Sequence, residues 1–134
     1  MTEGRRRDLP VFSNLFHLSA DADERLRRWV EALVETPGLT SLSGEEARRV
    51  HIEESLAAAD VVGRFEGSIV DVGSGGGAPG IPLAAALPGR QVTLVEAERR
   101  KADFLKGWEE ELPNLHVVWG RADRVLAPAD ASTL

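Results

Sequence analysis

Ser68-Ile69-Val70-Asp71-Val72-Gly73-Ser74-Gly75-Gly76-Gly77-Ala78-Pro79-Gly80 is the stretch that decides the fold. A short apolar run ends in a turn with five glycines in ten residues, and residues 81–89, "IPLAAALPG", follow as a helix closed by Pro88-Gly89. Glycine permits a tight turn and close backbone approach to a ligand where a Cβ would collide. A strand ending in such a turn and opening a helix has the form of the nucleotide-binding corner of a doubly wound α/β fold. The alternation continues downstream. "QVTLVE" (91–96) reads as a second strand, "RRKADFLKGWEEEL" (99–112) as a second helix stopped by Pro113, and "LHVVWG" (115–120) as a third strand. Strands alternating with helices of this length predict βαβ units and a parallel sheet with right-handed crossovers.

Upstream the pattern is helical. Asp21 opens an Asp-x-x-Glu cap, and Leu26, Trp29, Val30, Leu33 and Val34 follow at the spacing of one apolar helix face, ended by Pro37-Gly38. Residues 38–62 read as a short loop and a second helix, with Ser43 and Glu46 as its capping box and Val50, Ile52, Leu56 and Ala59 on its apolar side. Residues 1–20 read as a loosely held arm whose arginine run is solvated. The organisation expected is that arm, then one domain over 21–134, divided into a helical cap (21–63) and an α/β core with three strands (64–134).

Composition narrows the function. With 134 residues and 43% hydrophobic content the chain fits a single domain. It has no cysteine, which argues against a disulfide scaffold and thiolate metal sites and suits a reducing cytosol. No apolar run approaches the roughly 18 residues of a membrane span, and no metal site is expected. The net charge of −6 means that contact with nucleic acid would have to come from a local basic patch.

Gly75 to Gly80 satisfies G-x-G-x-x-G, the dinucleotide fingerprint, which taken alone is weak evidence. Two carboxylates choose between ligands. Asp71, at the end of the first strand, would repel a pyrophosphate but attract an ammonium group. S-adenosylmethionine carries one, along with a positive sulfonium. Glu96 ends the second strand, twenty-one residues after Gly75, where an acidic side chain can accept hydrogen bonds from both ribose hydroxyls in either cofactor class. The third strand ends in Gly120-Arg121-Ala122-Asp123, where a methyltransferase fold places an adenine contact; Asp123 is equally readable as the N-cap of a short helix.

"IVDVGSGGGAPGIPLA", "VTLVEAERRKADFL" and "GRAD", with upstream "GLTSL" and "HIEESL", resemble the glucose-inhibited division protein B family over roughly residues 24–126. These are small-subunit ribosomal RNA methyltransferases. The resemblance implies an α/β, class I S-adenosylmethionine-dependent methyltransferase (Rossmann-like) fold with an N-terminal helical cap. It also implies methyl transfer to guanine N7 in 16S ribosomal RNA, with that RNA or the small ribosomal subunit as partner, in the cytoplasm. Carried over by position, Gly73 and Ala78 line the cofactor, Glu96 holds the ribose and Ala122 with Asp123 meets the adenine; Asp71, Gly75 and Gly77 complete the expected cofactor-binding residues, and Arg100 with Lys101 matches the family's basic pair as the expected RNA-phosphate contacts. No catalytic base is named, because guanine N7 carries a free lone pair; alignment and electrostatic environment carry the reaction. His51 is read as a packed or capping residue. Gly38 stands where the family has asparagine.

The family continues with a fourth strand and a Ser-Arg-Ala piece whose arginine belongs to the active site. The expectation is therefore a truncated form, incomplete at the C-terminus, with negligible methyl transfer of its own and with Ser68–Val72 as an exposed apolar edge. The other readings are a non-catalytic cofactor-binding fragment and, behind it, an NAD-dependent oxidoreductase.

Overall fold

The structure is a computed structural model that describes residues 18–40, 42 and 44–126. Most of the expected arm, Ser43 of the expected capping box and residues 127–134 lie outside the described residues. In chain order the elements are α1 (Ala20–Glu35), α2 (Gly44–Arg48), a π-helical turn (Arg49–Glu53), α3 (Glu54–Val62), β1 (Ile69–Val72), α4 (Gly80–Ala86), β2 (Val92–Glu96), α5 (Arg99–Lys106), β3 (Leu115–Trp119) and the short α6 (Ala122–Val125). The protein is thus mixed α/β, and its three strands form one parallel sheet in the order β1-β2-β3.

The cap of α1 differs from the sequence expectation. Ser19, not Asp21, is the N-cap: its backbone is extended and its hydroxyl accepts from the Ala22 N–H at 3.1 Å. Asp21 and Asp23 instead sit in the first turn, where the positive end of the helix favours negative charge, and Asp23 pairs with Arg27 at 2.9 Å. Leu26, Trp29, Val30 and Leu33 are buried as the apolar spacing requires, whereas Val34, on the edge of that face, is exposed. Past α2 the π-helical turn buries Ile52, and α3 buries Leu56 and Ala59.

Strand register explains the layering. Ile69, Val92 and Leu115 stand side by side, as do Asp71, Leu94 and Val117. This face meets the helices: Leu26, Trp29 and Leu33 of α1, Ile81, Ala84 and Ala85 of α4, and Leu105 of α5 share one core with Val92, Leu94, Leu115 and Val117. The opposite face carries Val70 and Val72, 47% and 52% exposed, so the apolar character expected of this strand's surface is present as two solvent-facing valines. Among the described residues β1 pairs with β2 alone.

A side chain that the sequence did not single out closes the lower end of the sheet. Buried Asn114 directs its amide nitrogen at three carbonyls, those of Ala84 (2.9 Å), Leu87 (3.2 Å) and Arg90 (2.9 Å). It reaches the Ala84 carbonyl in the last turn of α4, which a helix end leaves without a helical partner, and the loop into β2, where the Leu87 carbonyl also accepts from Arg90 N–H. Asn114→Ala should cost about 2 kcal/mol in denaturant unfolding. An unchanged midpoint would contradict this role.

Candidate functional site at the glycine turn

The turn grows out of the sheet without a break in hydrogen bonding. Gly73 N–H donates to the Val95 carbonyl at 2.8 Å and Gly77 N–H to the Ser74 carbonyl at 2.8 Å. The Ser74 hydroxyl returns to the Asp71 carbonyl at 2.9 Å. The Ala78–Pro79 peptide is cis, and α4 starts at Gly80.

The five glycines divide by what surrounds them. Gly73 and Gly75 have φ of +71° and +55°, and a Cβ on either would meet nothing within 4 Å. These two therefore face open space in a backbone conformation that favours glycine. Gly76, Gly77 and Gly80 are packing glycines. A Cβ on Gly76 would lie 2.3 Å from Leu33 Cδ1, on Gly77 2.7 Å from Ile81 Cδ1, and on Gly80 2.1 Å from Leu94 Cδ2. Gly77, placed by sequence among ligand contacts, thus turns its vacant side to the core. Ala78 is half-buried and packs against that core.

Two carboxylates flank the turn at the carboxyl ends of β1 and β2. Glu96 is 7% exposed. Its Oε1 accepts from Gly75 N–H at 2.7 Å and its Oε2 from Glu98 N–H at 2.8 Å, one bond per oxygen. A carboxylate oxygen has two lone pairs, so acceptor capacity remains. Asp71 Oδ2 accepts from Gly80 N–H at 3.2 Å. Burial pushes the Asp71 carboxyl above its ordinary value of 3.8; the hydrogen bonds from Gly80 and Ser74 oppose that shift, and the nearby Glu96 charge adds to it. Two acidic groups bonded to backbone amides, with no cation paired to either among the described residues, make this end of the sheet attractive to positive charge.

The remaining sequence-predicted residues lie around this centre. The Glu96 carbonyl accepts from Gly120 N–H at 2.9 Å, which brings the start of the Arg121–Asp123 segment beside β2. Ala122 opens α6; Asp123 does not cap it, because Arg121 is the N-cap residue and holds the Asp123 carboxylate in a two-pronged pair at 3.1 and 3.0 Å. Arg100 Nη2 donates to the Pro37 carbonyl at 2.7 Å, tying α5 to the loop after α1, and Lys101 pairs with Glu98 at 3.2 Å. His51 packs edge-on to Trp29 and shares a 3.1 Å hydrogen bond with the Thr40 hydroxyl; burial lowers its pKa, with Glu54 opposing. A separate open cavity of about 360 Å³, lined by Arg28, Gly107, Trp108 and Glu111, contains none of the turn residues. Among the described residues no group of three or more His, Asp or Glu is placed to hold a metal ion, and no helix is long and apolar enough to cross a membrane.

Sequence reasoning missed Trp29 as part of this site. Its indole N–H donates to the Gly76 carbonyl at 2.9 Å, from a fully buried position on α1. A signal existed: a buried indole needs an acceptor, and an apolar stripe offers none.

The protein-family model for rRNA small subunit methyltransferase G matches residues 23–133. The chain belongs to this family. It is 42% identical over 118 residues to the ribosomal RNA small subunit methyltransferase G of Nitrosomonas europaea, covering 81% of this chain and 54% of that protein. It is 39% identical over 115 residues to that of Neisseria gonorrhoeae (81% and 55%) and 35% over 109 residues to that of Polynucleobacter asymbioticus (76% and 47%). The chain spans about half the length of these relatives. The glycine turn and both flanking carboxylates lie inside the matched region.

Two expectations follow. Because burial raises the folded-state pKa of Asp71, its ionisation weakens the fold as pH rises through and above 3.8. Asp71→Asn should therefore melt higher than wild type at pH 7, with the gain disappearing as pH falls toward 3.8. An equal gain at both pH values would contradict the assignment. Gly76→Ala should lose about 2 kcal/mol by overpacking against Leu33, and Gly75→Ala only about 1 kcal/mol through its left-handed backbone. Equal losses in denaturant unfolding would remove the division between packing and open glycines.

Proposed function

We propose that this protein is an S-adenosylmethionine-dependent methyltransferase that acts on guanine N7 in 16S ribosomal RNA, in the cytoplasm. In this reading residues 21–134 belong to one methyltransferase domain with a class I, Rossmann-like core and a helical cap. The observation that carries it is the open space at Gly73 and Gly75, on a turn whose Gly75 N–H bonds the Glu96 carboxylate and whose end at Gly80 bonds that of Asp71. Family membership and the relatives' names support the reaction and its RNA substrate.

The residues present fit this cofactor. The lone pairs that Glu96 keeps can accept from two ribose hydroxyls, and the Asp71 carboxylate, once ionised, favours an ammonium group on the β1 side. A pyrophosphate would meet both negative charges, which disfavours the dinucleotide reading. The cofactor supplies an electrophilic methyl group when bound. Ala122 N–H and the Asp123 carboxylate are the proposed adenine contacts; each Asp123 oxygen accepts one N–H from Arg121 and keeps a lone pair for the ring edge. Gly77 and Ala78 contribute through the shape of the turn. Guanine N7 needs no proton removed, so the work left to the protein is alignment and exclusion of water. Arg100 and Lys101 are proposed to reach RNA phosphate through the donors that Pro37 and Glu98 leave free; a guanidinium has five.

Calorimetric titration should show S-adenosylmethionine binding and no NADH binding, and Glu96→Gln should weaken the former about tenfold or more. Incubation with labelled cofactor and deproteinised 16S RNA tests the second half, with the product read as N7-methylguanine. Preferential NADH binding would overturn the proposal. Cofactor binding with no label on RNA would keep the cofactor site and favour the other reading, a non-catalytic cofactor-binding fragment.

A further inference from the structure

Trp29 lies one layer away from the open side of the turn, and nothing in the proposed chemistry uses it. Its ring is fully buried in α1, and its indole N–H reaches the Gly76 carbonyl at 2.9 Å. Leu33, one helical turn further on, occupies the space that a Gly76 Cβ would need. The preceding residue, Gly75, gives its N–H to Glu96 on β2. Consecutive residues of the turn are therefore gripped from opposite sides, the N–H of Gly75 by the sheet and the carbonyl of Gly76 by the helical layer.

The grip continues behind the indole. His51 packs edge-on to Trp29 with ring centres 6.4 Å apart. His51 Nε2 bonds the Thr40 hydroxyl at 3.1 Å, and that hydroxyl also accepts from Leu42 N–H at 3.2 Å. Thr40 and Leu42, His51 of the π-helical turn and Trp29 of α1 thus form a chain of contacts that ends on one carbonyl of the turn. Packing alone would need only an apolar ring at position 29. The indole N–H adds a direction, because it fixes the plane of the Gly76 peptide, and a partly buried carbonyl deprived of its donor loses about the worth of one hydrogen bond.

We propose that Trp29 is a positioning residue of the cofactor turn: its N–H holds the Gly76 peptide so that Gly75 presents its N–H to Glu96 and its open side to the ligand. The inference rests on the cofactor reading above, and it makes the helical layer part of the binding machinery rather than a cover. Trp29 touches no ligand; it acts through the backbone it holds.

Two variants separate this from a structural role. Trp29→Phe keeps an aromatic ring and drops the donor. Incorporation of 3-benzothienylalanine at position 29 keeps the bicyclic shape and replaces only N–H by sulfur, so it remains informative if the phenylalanine variant folds poorly. Amide hydrogen exchange is read on the ligand-free protein, and the affinity for S-adenosylhomocysteine by calorimetry. The amides of Gly75 and Gly77 should exchange about five- to tenfold faster in either variant, while Leu94 and Val95 in β2 keep their protection. Affinity should fall by a similar factor and be unchanged in a Trp108→Phe control. Unchanged exchange in the turn, or exchange that rises only in step with β2, overturns the proposal. If the wild-type protein binds no S-adenosylhomocysteine, the cofactor reading fails and the exchange measurement alone decides whether Trp29 positions the turn.

Discussion

Each oxygen of the Glu96 carboxylate holds one backbone N–H, Gly75 on the turn after β1 and Glu98 on the turn after β2. The two loops at the carboxyl end of the sheet are thereby fixed relative to each other by a single buried side chain. The constraint reaches further, because the Glu96 carbonyl also accepts from Gly120 at the end of β3. Three strand ends meet around one residue. An uncompensated carboxylate in such a position would be expensive, and charge-assisted bonds to backbone amides are the compensation. The same oxygens keep lone pairs for a ligand, so one group can both build the site and bind in it.

The turn is also shaped from its other side. Leu33 and Trp29 press on Gly76, and Ile81 and Leu94 stand where Cβ atoms on Gly77 and Gly80 would be. Three of the five glycines are thus required by packing of helices against the sheet. Gly73 and Gly75 combine a left-handed backbone with open space, whereas Gly77, at φ +112°, is required by backbone conformation and packing together. A glycine-rich motif of this kind is a composite: part of its composition serves the ligand and part serves the core that aims it.

Much of this was legible in the sequence. The change from helical to alternating rhythm after Gly63 gave the three strands, and their parallel pairing followed from the lengths of the intervening helices. Asp71 and Glu96 were placed by their positions at strand ends. Less visible was anything that depends on contacts distant in sequence. The bond from Trp29 to Gly76 spans 47 residues, and Asn114 reaches carbonyls up to 30 residues away. The Ser19 cap was missed because Asp21 also fits the local pattern, and only backbone geometry separates the two. Arg100 was read from the sequence as a contact to RNA phosphate, and nothing in its neighbourhood of the sequence announces Pro37 as an acceptor.

The central claim is that the open side of the turn, between Asp71 and Glu96, is where the ligand sits. Amide chemical-shift mapping on the nitrogen-15-labelled protein, titrated with S-adenosylhomocysteine, tests it most directly. The account predicts that the largest shifts fall on Gly73, Gly75 and Glu98, with Ala122 following and the amides of α3 unmoved. Shifts concentrated instead at Arg28, Gly107, Trp108 and Glu111, around the separate cavity, would contradict it.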